Sequence, residues 1–261
     1  MHIDLYPIIT SPWLRRYQSR PIAAVRLICL PHAGGAASFF RDWGEALPDD
    51  IDVISVQYPG REERIDEPLV GCMSELIYAL TQEIRGLLDR PYVLLGHSMG
   101  GIVAYELCQA MSRIGLRLPE HLIVSACEAP VHHQGGSLHI ADDPTLCETL
   151  SRLGGTSSAL FSSPELRALL LPVIRNDYCL IEQYRPAPVI SPLPVPVSAF
   201  IGREDHELTR EQACDWRMYG ASGFDLKIFS GGHFYLRQQM SSVISVLTAI
   251  FDDVKAHYAL M

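Results

Sequence analysis

Short runs of Val, Ile and Leu recur along the chain without strict alternation. Between them lie longer stretches in which apolar residues return every three or four positions. Continuous apolar runs suit strands buried on both faces, and the intervening periodicity suits covering helices. The pattern predicts strands at Val25–Leu30, Ile51–Val56, Tyr92–Leu95, His121–Ala126, Val195–Ile201 and Phe224–Phe229. Together these make an α/β architecture with a mostly parallel central sheet. Function in such sheets collects in loops at the carboxyl ends of the strands.

One segment breaks the alternation. Residues 129–194 contain no clear strand but carry two helix-start signals, Asp143-Pro144 and Ser163-Pro164. Leu166, Leu169, Leu170, Val173 and Ile174 follow at helical spacing, with Pro172 expected to kink or divide that helix. The segment reads as a helical lid inserted into one domain spanning 1–261. Five prolines between Pro186 and Pro196 read as an extended return to the sheet.

Length and composition narrow the function classes. The 261 residues suit a single large α/β unit, and 48% hydrophobic content supplies a sizeable core. A formal net charge of −9 argues against nucleic acid or an anionic membrane as partner, and it would repel an acidic protein at long range. Docking on such a protein would need a local basic or apolar patch. No apolar run is long enough to span a bilayer, and the N-terminal residues lack the layout of a signal peptide. Seven cysteines form no C-x-x-C pair, and most sit in apolar stretches as small hydrophobes. No metal site is expected, since there is no H-E-x-x-H and no histidine–carboxylate cluster at ligand spacing. A cytoplasmic, monomeric protein is the expectation.

The sharpest chemical signal is Gly96-His97-Ser98-Met99-Gly100, placed between a predicted strand and a helical pattern that ends near Gly115. G-x-S-x-G alone is weak, but in a strand–turn–helix setting it marks a nucleophile elbow of the α/β-hydrolase fold. The tight turn lifts the serine hydroxyl above the sheet, and the helix N-terminus leaves N–H groups free for developing negative charge. Ser98 is therefore the candidate nucleophile.

Its base is expected to be His233, in Ser230-Gly231-Gly232-His233-Phe234 after the last predicted strand. His97 lies inside the elbow and should point away from the hydroxyl. His132, His133 and His139 read as exposed polar residues of the lid, and His121 starts a strand far from the site. For the acid, Asp205 in Gly202-Arg203-Glu204-Asp205-His206 follows the fifth predicted strand; Glu204 and Glu128 are its rivals. An oxyanion hole needs two fixed donors. Met99 N–H is one; Ala33, or alternatively Gly34, in Pro31-His32-Ala33-Gly34-Gly35 is the other. Tyr58-Pro59-Gly60-Arg61 reads alone as a turn. Arg61 and Arg64, and the group Arg15, Arg16, Arg20 and Arg26, are candidate contacts for an anionic partner.

Taken together, L-P-H-A-G-G from Leu30, Y-P-G-R from Tyr58, G-H-S-M-G from Gly96 and G-H-F from Gly232 resemble the type II thioesterases of nonribosomal peptide and polyketide synthesis. Leu171-Pro172-Val173-Ile174-Arg175-Asn176-Asp177-Tyr178 fits the same pattern, though alanine is commoner at the position of Asn176. G-R-E-D-H departs from the commoner G-x-D-D, with Asp205 in the acid position. The resemblance spans nearly the whole chain. It implies a discrete enzyme that removes stalled or wrong acyl groups from the phosphopantetheine arm of acyl or peptidyl carrier domains, with no cofactor of its own. The residues alone leave three rivals: a carboxylesterase or medium-chain acyl thioesterase, an acyltransferase, and a non-catalytic carrier-binding module.

Overall fold

A computed structural model describes residues 8–155 and 163–259. Its centre is an eight-stranded sheet in the order β1-β2-β4-β3-β5-β6-β7-β8. The strands are β1 (Ile8–Ser11), β2 (Leu14–Arg16), β3 (Val25–Leu30), β4 (Ile51–Val56), β5 (Tyr92–His97), β6 (His121–Ser125), β7 (Val197–Gly202) and β8 (Phe224–Phe229). From β4 across to β8 all pairings are parallel, whereas β1 and β2 form an antiparallel hairpin added to the β4 edge. All six expected strands form, three with the expected bounds; β6 stops one residue early and β7 is shifted toward Gly202.

The principal helices are α1 (Met73–Ile84), α2 (Met99–Arg113), α3 (Asp143–Leu153), α4 (Pro164–Glu182) and α5 (Met240–Ala259). Two apolar layers sandwich the sheet. One packs α1 and α2 against Ile28, Ile54, Leu94 and Val124; the other packs α5 against Leu27, Val53, Leu95 and Ile123. This accounts for the mostly apolar strands in the middle of the sheet, whose successive residues face different buried layers, while edge strand β8 is largely half-buried or exposed.

The insertion between β6 and β7 holds α3 and α4. Asp142, one residue before the expected cap, accepts from Thr145 N–H at 2.9 Å and starts α3; Ser163 caps α4 through Leu166 N–H at 3.3 Å. Gly154, in the left-handed region at φ 81°, ends α3. Helix α4 runs continuously through Pro172, so that proline does not divide it. Leu146, Leu150, Leu171 and Ile174 form a small separate core that joins α3 to α4.

Two further expectations are corrected here. The arginines offered to an anionic partner are already occupied. Arg15 pairs with Glu63, Arg16 and Arg26 with Asp52, Arg20 with Asp49, Arg61 with Asp177 and Arg64 with Glu67. The histidines of the insertion are not free surface groups either. Half-buried, they face carboxylates: His132 meets Asp215 at 2.9 Å, His133 meets Glu128 at 3.4 Å and His139 meets Glu182 at 2.5 Å. Of the seven cysteines, all free, only Cys29, Cys108 and Cys127 are buried; Cys72 is exposed. Among the described residues, no helix is long and apolar enough to cross a membrane.

Candidate active site

Strand β5 delivers the chain to Ser98 and α2 leaves from it at Met99. Ser98 takes φ 56° and ψ −122°, a conformation that a residue with a side chain rarely adopts. Two bonds hold this turn: Ser98 N–H donates to Ser125 O at 2.7 Å, and Gly101 N–H donates to Ser98 O at 2.8 Å. The flanking glycines are required by contact. A Cβ on Gly96 would lie 1.9 Å from Gly100 O, and one on Gly100 would lie 2.3 Å from Leu30 O. The motif spacing thus records where helix, strand and turn nearly touch.

The Ser98 hydroxyl lies 3.0 Å from His233 Nε2, and His233 Nδ1 lies 2.9 Å from Asp205 Oδ2. The Asp205 side chain is fully buried, and its other oxygen accepts from Glu207 N–H at 3.0 Å. A carboxylate only accepts, so Nδ1 carries the imidazole proton. Nε2 of the neutral ring is left to accept from the serine. Both rivals for the acid role are elsewhere. Glu204 accepts from Gly231 N–H, and Glu128 is held by Gln212 at 3.2 Å and by His133.

The loop after β3 supplies the opposite wall. Gly34 N–H donates to Asp177 Oδ2 at 2.7 Å, so its donor is already used. Ala33 N–H has no acceptor among the described residues, which selects Ala33 over Gly34 as the free donor beside Met99 N–H. A contact that sequence reasoning missed holds the loop in place. Arg61 grips Asp177 with two bonds, at 2.5 and 2.9 Å, and also donates to Gly35 O at 3.0 Å. Both side chains are buried, Asp177 on α4 to 1% exposure and Arg61 in the turn after β4 to 6%. The bidentate geometry and the extra acceptors satisfy charges that would otherwise be expensive to bury. Tyr58-Pro59-Gly60-Arg61 is therefore a turn that aims a clamp. Nearby, Asn176 donates to Val70 O at 3.1 Å.

Three histidines, His32 and His97 buried and His121 half-buried, resist protonation. Burial first, and then proximity to His233, Arg237 and Arg61, pushes His32 down to about 3. Burial likewise holds His97 well below its ordinary range; its Nδ1 meets Ser125 Oγ at 2.9 Å, away from the Ser98 hydroxyl. His121, at the far end of β6, meets Ser198 Oγ at 2.8 Å and is pushed down to about 4, again by burial. Over Ser98 remains a cavity of about 40 Å³, roofed by Leu150, Leu153, Ile174 and Tyr178 of the insertion. Among the described residues, no cluster of three or more His, Cys, Asp or Glu side chains is placed to hold a metal ion.

The chain is similar to known proteins along most of its length. The Thioesterase domain family matches residues 25–251. A probable cadicidin biosynthesis thioesterase of Streptomyces griseus is 36% identical over 231 residues, covering 88% of this chain and 63% of its own length. Thioesterase PikA5 of Streptomyces venezuelae is 37% identical over 235 residues, 88% of this chain and 82% of PikA5. The structure of the type II thioesterase BorB from the borrelidin biosynthetic cluster superposes with a TM-score of 0.85 at 37% identity, covering 93% of this chain and 98% of BorB. With its elbow, its parallel sheet and its matched length, the chain belongs to the thioesterase family, among the type II thioesterases of nonribosomal peptide and polyketide synthesis.

Proposed function

We infer that residues 1–261 form one hydrolase domain that frees acyl or aminoacyl groups from the phosphopantetheine arm of carrier domains, with residues 129–194 as its lid. The observation that carries the reading is the continuous hydrogen-bond chain Ser98–His233–Asp205, at 3.0 and 2.9 Å, in a member of the thioesterase family. In this reading His233 Nε2 takes the Ser98 proton as the oxygen attacks the thioester carbonyl. Asp205 fixes the ring orientation and stabilises the imidazolium. Met99 and Ala33 N–H groups hold the oxyanion, where each donor contributes roughly 3 kcal/mol to the transition state.

Collapse of the tetrahedral adduct breaks the carbon–sulfur bond, and the carrier thiol leaves with the proton from His233. Water, deprotonated by the same nitrogen, then attacks the acyl-Ser98 ester and releases the acid. The cycle needs no cofactor beyond the arm that the carrier brings. A cytoplasmic location suits an enzyme with seven unpaired cysteines.

The test is release of product from a panel of acyl- and aminoacyl-loaded carrier domains, run beside a simple oxygen ester and with candidate alcohol or amine acceptors. Faster release from carriers, as free acid, is expected. Much faster ester turnover, or transfer to an acceptor, would replace this reading by an esterase or an acyltransferase.

A further inference from the structure

A concavity far larger than the one over Ser98 lies elsewhere on the described residues. A groove of about 690 Å³ runs between α1, α2 and the chain leaving α4. Its floor is apolar, with Ile77, Ala110 and Leu180, while Tyr78 and Ile114 stand on its rim 69% and 53% exposed. Three arginines line it: Arg85 at the end of α1, Arg113 at the end of α2 and Arg185 beyond α4. All three are exposed, and none has a carboxylate partner among the described residues. The N-terminal and Tyr58-turn arginines, by contrast, are all spoken for. The one acid in the lining, Glu106, is occupied by the Tyr184 hydroxyl at 2.6 Å. In a chain of net charge −9 the groove's lining thus carries three arginines against one glutamate, a local surplus of positive charge.

Arginines near helix C-termini also offset the helix dipole, a role that leaves Arg85 and Arg113 exposed, while Arg185, also exposed, donates from Nη1 to the Glu182 and Tyr184 carbonyls at 2.9 and 2.7 Å. The groove is tied to the catalytic side as well. Leu180 lines both the groove and a small cleft beside Met99, Val70 and Asn176. From there the groove follows α2 toward Arg113, about 20 Å along the helix axis from Met99.

We propose that this groove is the docking surface for the carrier domain, received through an acidic, amphipathic helix of that domain: Tyr78 and Ile114 take its apolar side, and Arg85, Arg113 and Arg185 take its carboxylates. The proposal rests on the carrier-thioesterase reading and adds where the partner sits. Charge complementarity is its principal argument. The enzyme as a whole repels an acidic partner, so productive encounter needs a local surface of opposite sign, and this groove supplies one. The helix-in-groove mode further requires an apolar floor with exposed anchors at its edge, which the groove has.

The experiment compares wild type with R85E/R113E and, separately, Y78E, on two substrates bearing the same acyl group: the loaded carrier domain and a free acyl-pantetheine thioester. All three altered side chains are exposed, and thermal midpoints would verify folding. The expected result is a fall of about tenfold or more in kcat/KM for the carrier, carried by KM and weakening as salt rises, with the free thioester unaffected. Unchanged carrier kinetics in both variants would overturn the docking surface while leaving the activity intact. Equal loss on both substrates would overturn it too, by making the groove part of the site for the arm. So would a wild-type dimer that R85E/R113E dissolves, since a second copy would then occupy the groove. If wild type itself releases nothing from any carrier, the functional reading fails, and that result is distinct from the others.

Discussion

Two buried aspartates stand on opposite sides of Ser98, and they do different work. Asp205 lies in the loop after β7 and meets a histidine that, in the proposed mechanism, changes its charge during the reaction. Asp177 lies on α4 and meets an arginine that never does. On the proposed mechanism the first carboxylate stabilises a charge that appears only transiently, so its value would be kinetic. The second neutralises a permanent buried charge and fixes the Pro31–Gly35 loop, so its value is structural first. The difference teaches that burial and pairing alone do not mark a catalytic acid. The partner's chemistry does: an imidazole can take up and release a proton, and a guanidinium cannot.

The largest effect should come from the catalytic side. Ser98→Ala and His233→Ala should each lower kcat by roughly 10⁴- to 10⁶-fold, and Asp205→Asn by about 10⁴-fold, with unfolding midpoints close to wild type. Steady-state assays beside thermal melts check this. A mild Asp205→Asn with a severe Glu128→Gln would break the comparison at its first term.

Asp177→Ala should invert the pattern. It strands Arg61 in a buried position and frees the Gly34 N–H, a loss of about 3–5 kcal/mol in stability, with kcat falling because the oxyanion loop is no longer held. Arg61→Met/Asp177→Leu should be distinctly milder than the sum of the single changes, as a double-mutant cycle would read. Additive losses would show that the two residues do not act as one clamp.

A smaller, pH-dependent effect separates the two sides again. His32, His97 and His121 have folded-state values below their ordinary 6.5, so between that value and their lowered ones the unfolded chain binds protons that the folded chain refuses. Their contribution is complete above about pH 6.5 and is lost as pH falls, by up to about 1.4 kcal/mol per pH unit for each histidine. The thermal midpoint should drop between pH 7 and pH 5, above the range in which carboxylates titrate. His121→Gln should flatten that slope without changing kcat, because His121 lies far from Ser98. An unaltered slope would contradict the assignment.

The smallest effect expected is from Asn176→Ala. Losing one hydrogen bond to Val70 O should cost about 1 kcal/mol, with the Ser98–His233 geometry intact.

Legibility in the sequence followed the range of the interaction. The six parallel strands announced themselves through short runs rich in Val, Ile and Leu, and the elbow through the spacing of its glycines, although the contact that requires Gly100 is with Leu30 O on another strand. His233 and Asp205 were readable because chain order and loop position constrain them in this fold. The β1–β2 hairpin was not readable: Leu14-Arg15-Arg16 looks polar, and Arg15 is buried only because Glu63 and the carbonyls of Ser11 and Leu14 surround it. The Arg61–Asp177 clamp joins positions 116 apart, and no local spacing links them. Both residues stood within runs that carry the family resemblance, which was the only available signal. The insertion's histidines followed the same rule, since His132 meets an aspartate 83 positions away.

The central claim is that Ser98 carries the acyl group between carrier and water. The most direct measurement is rapid-quench intact-mass analysis of the enzyme mixed with an acyl-loaded carrier domain. The account predicts a transient acyl adduct mapping to Ser98, formed as free-thiol carrier appears, and absent in Ser98→Ala, which should leave the carrier loaded. Carrier unloading by folded Ser98→Ala at the wild-type rate, with no adduct on either protein, would contradict it.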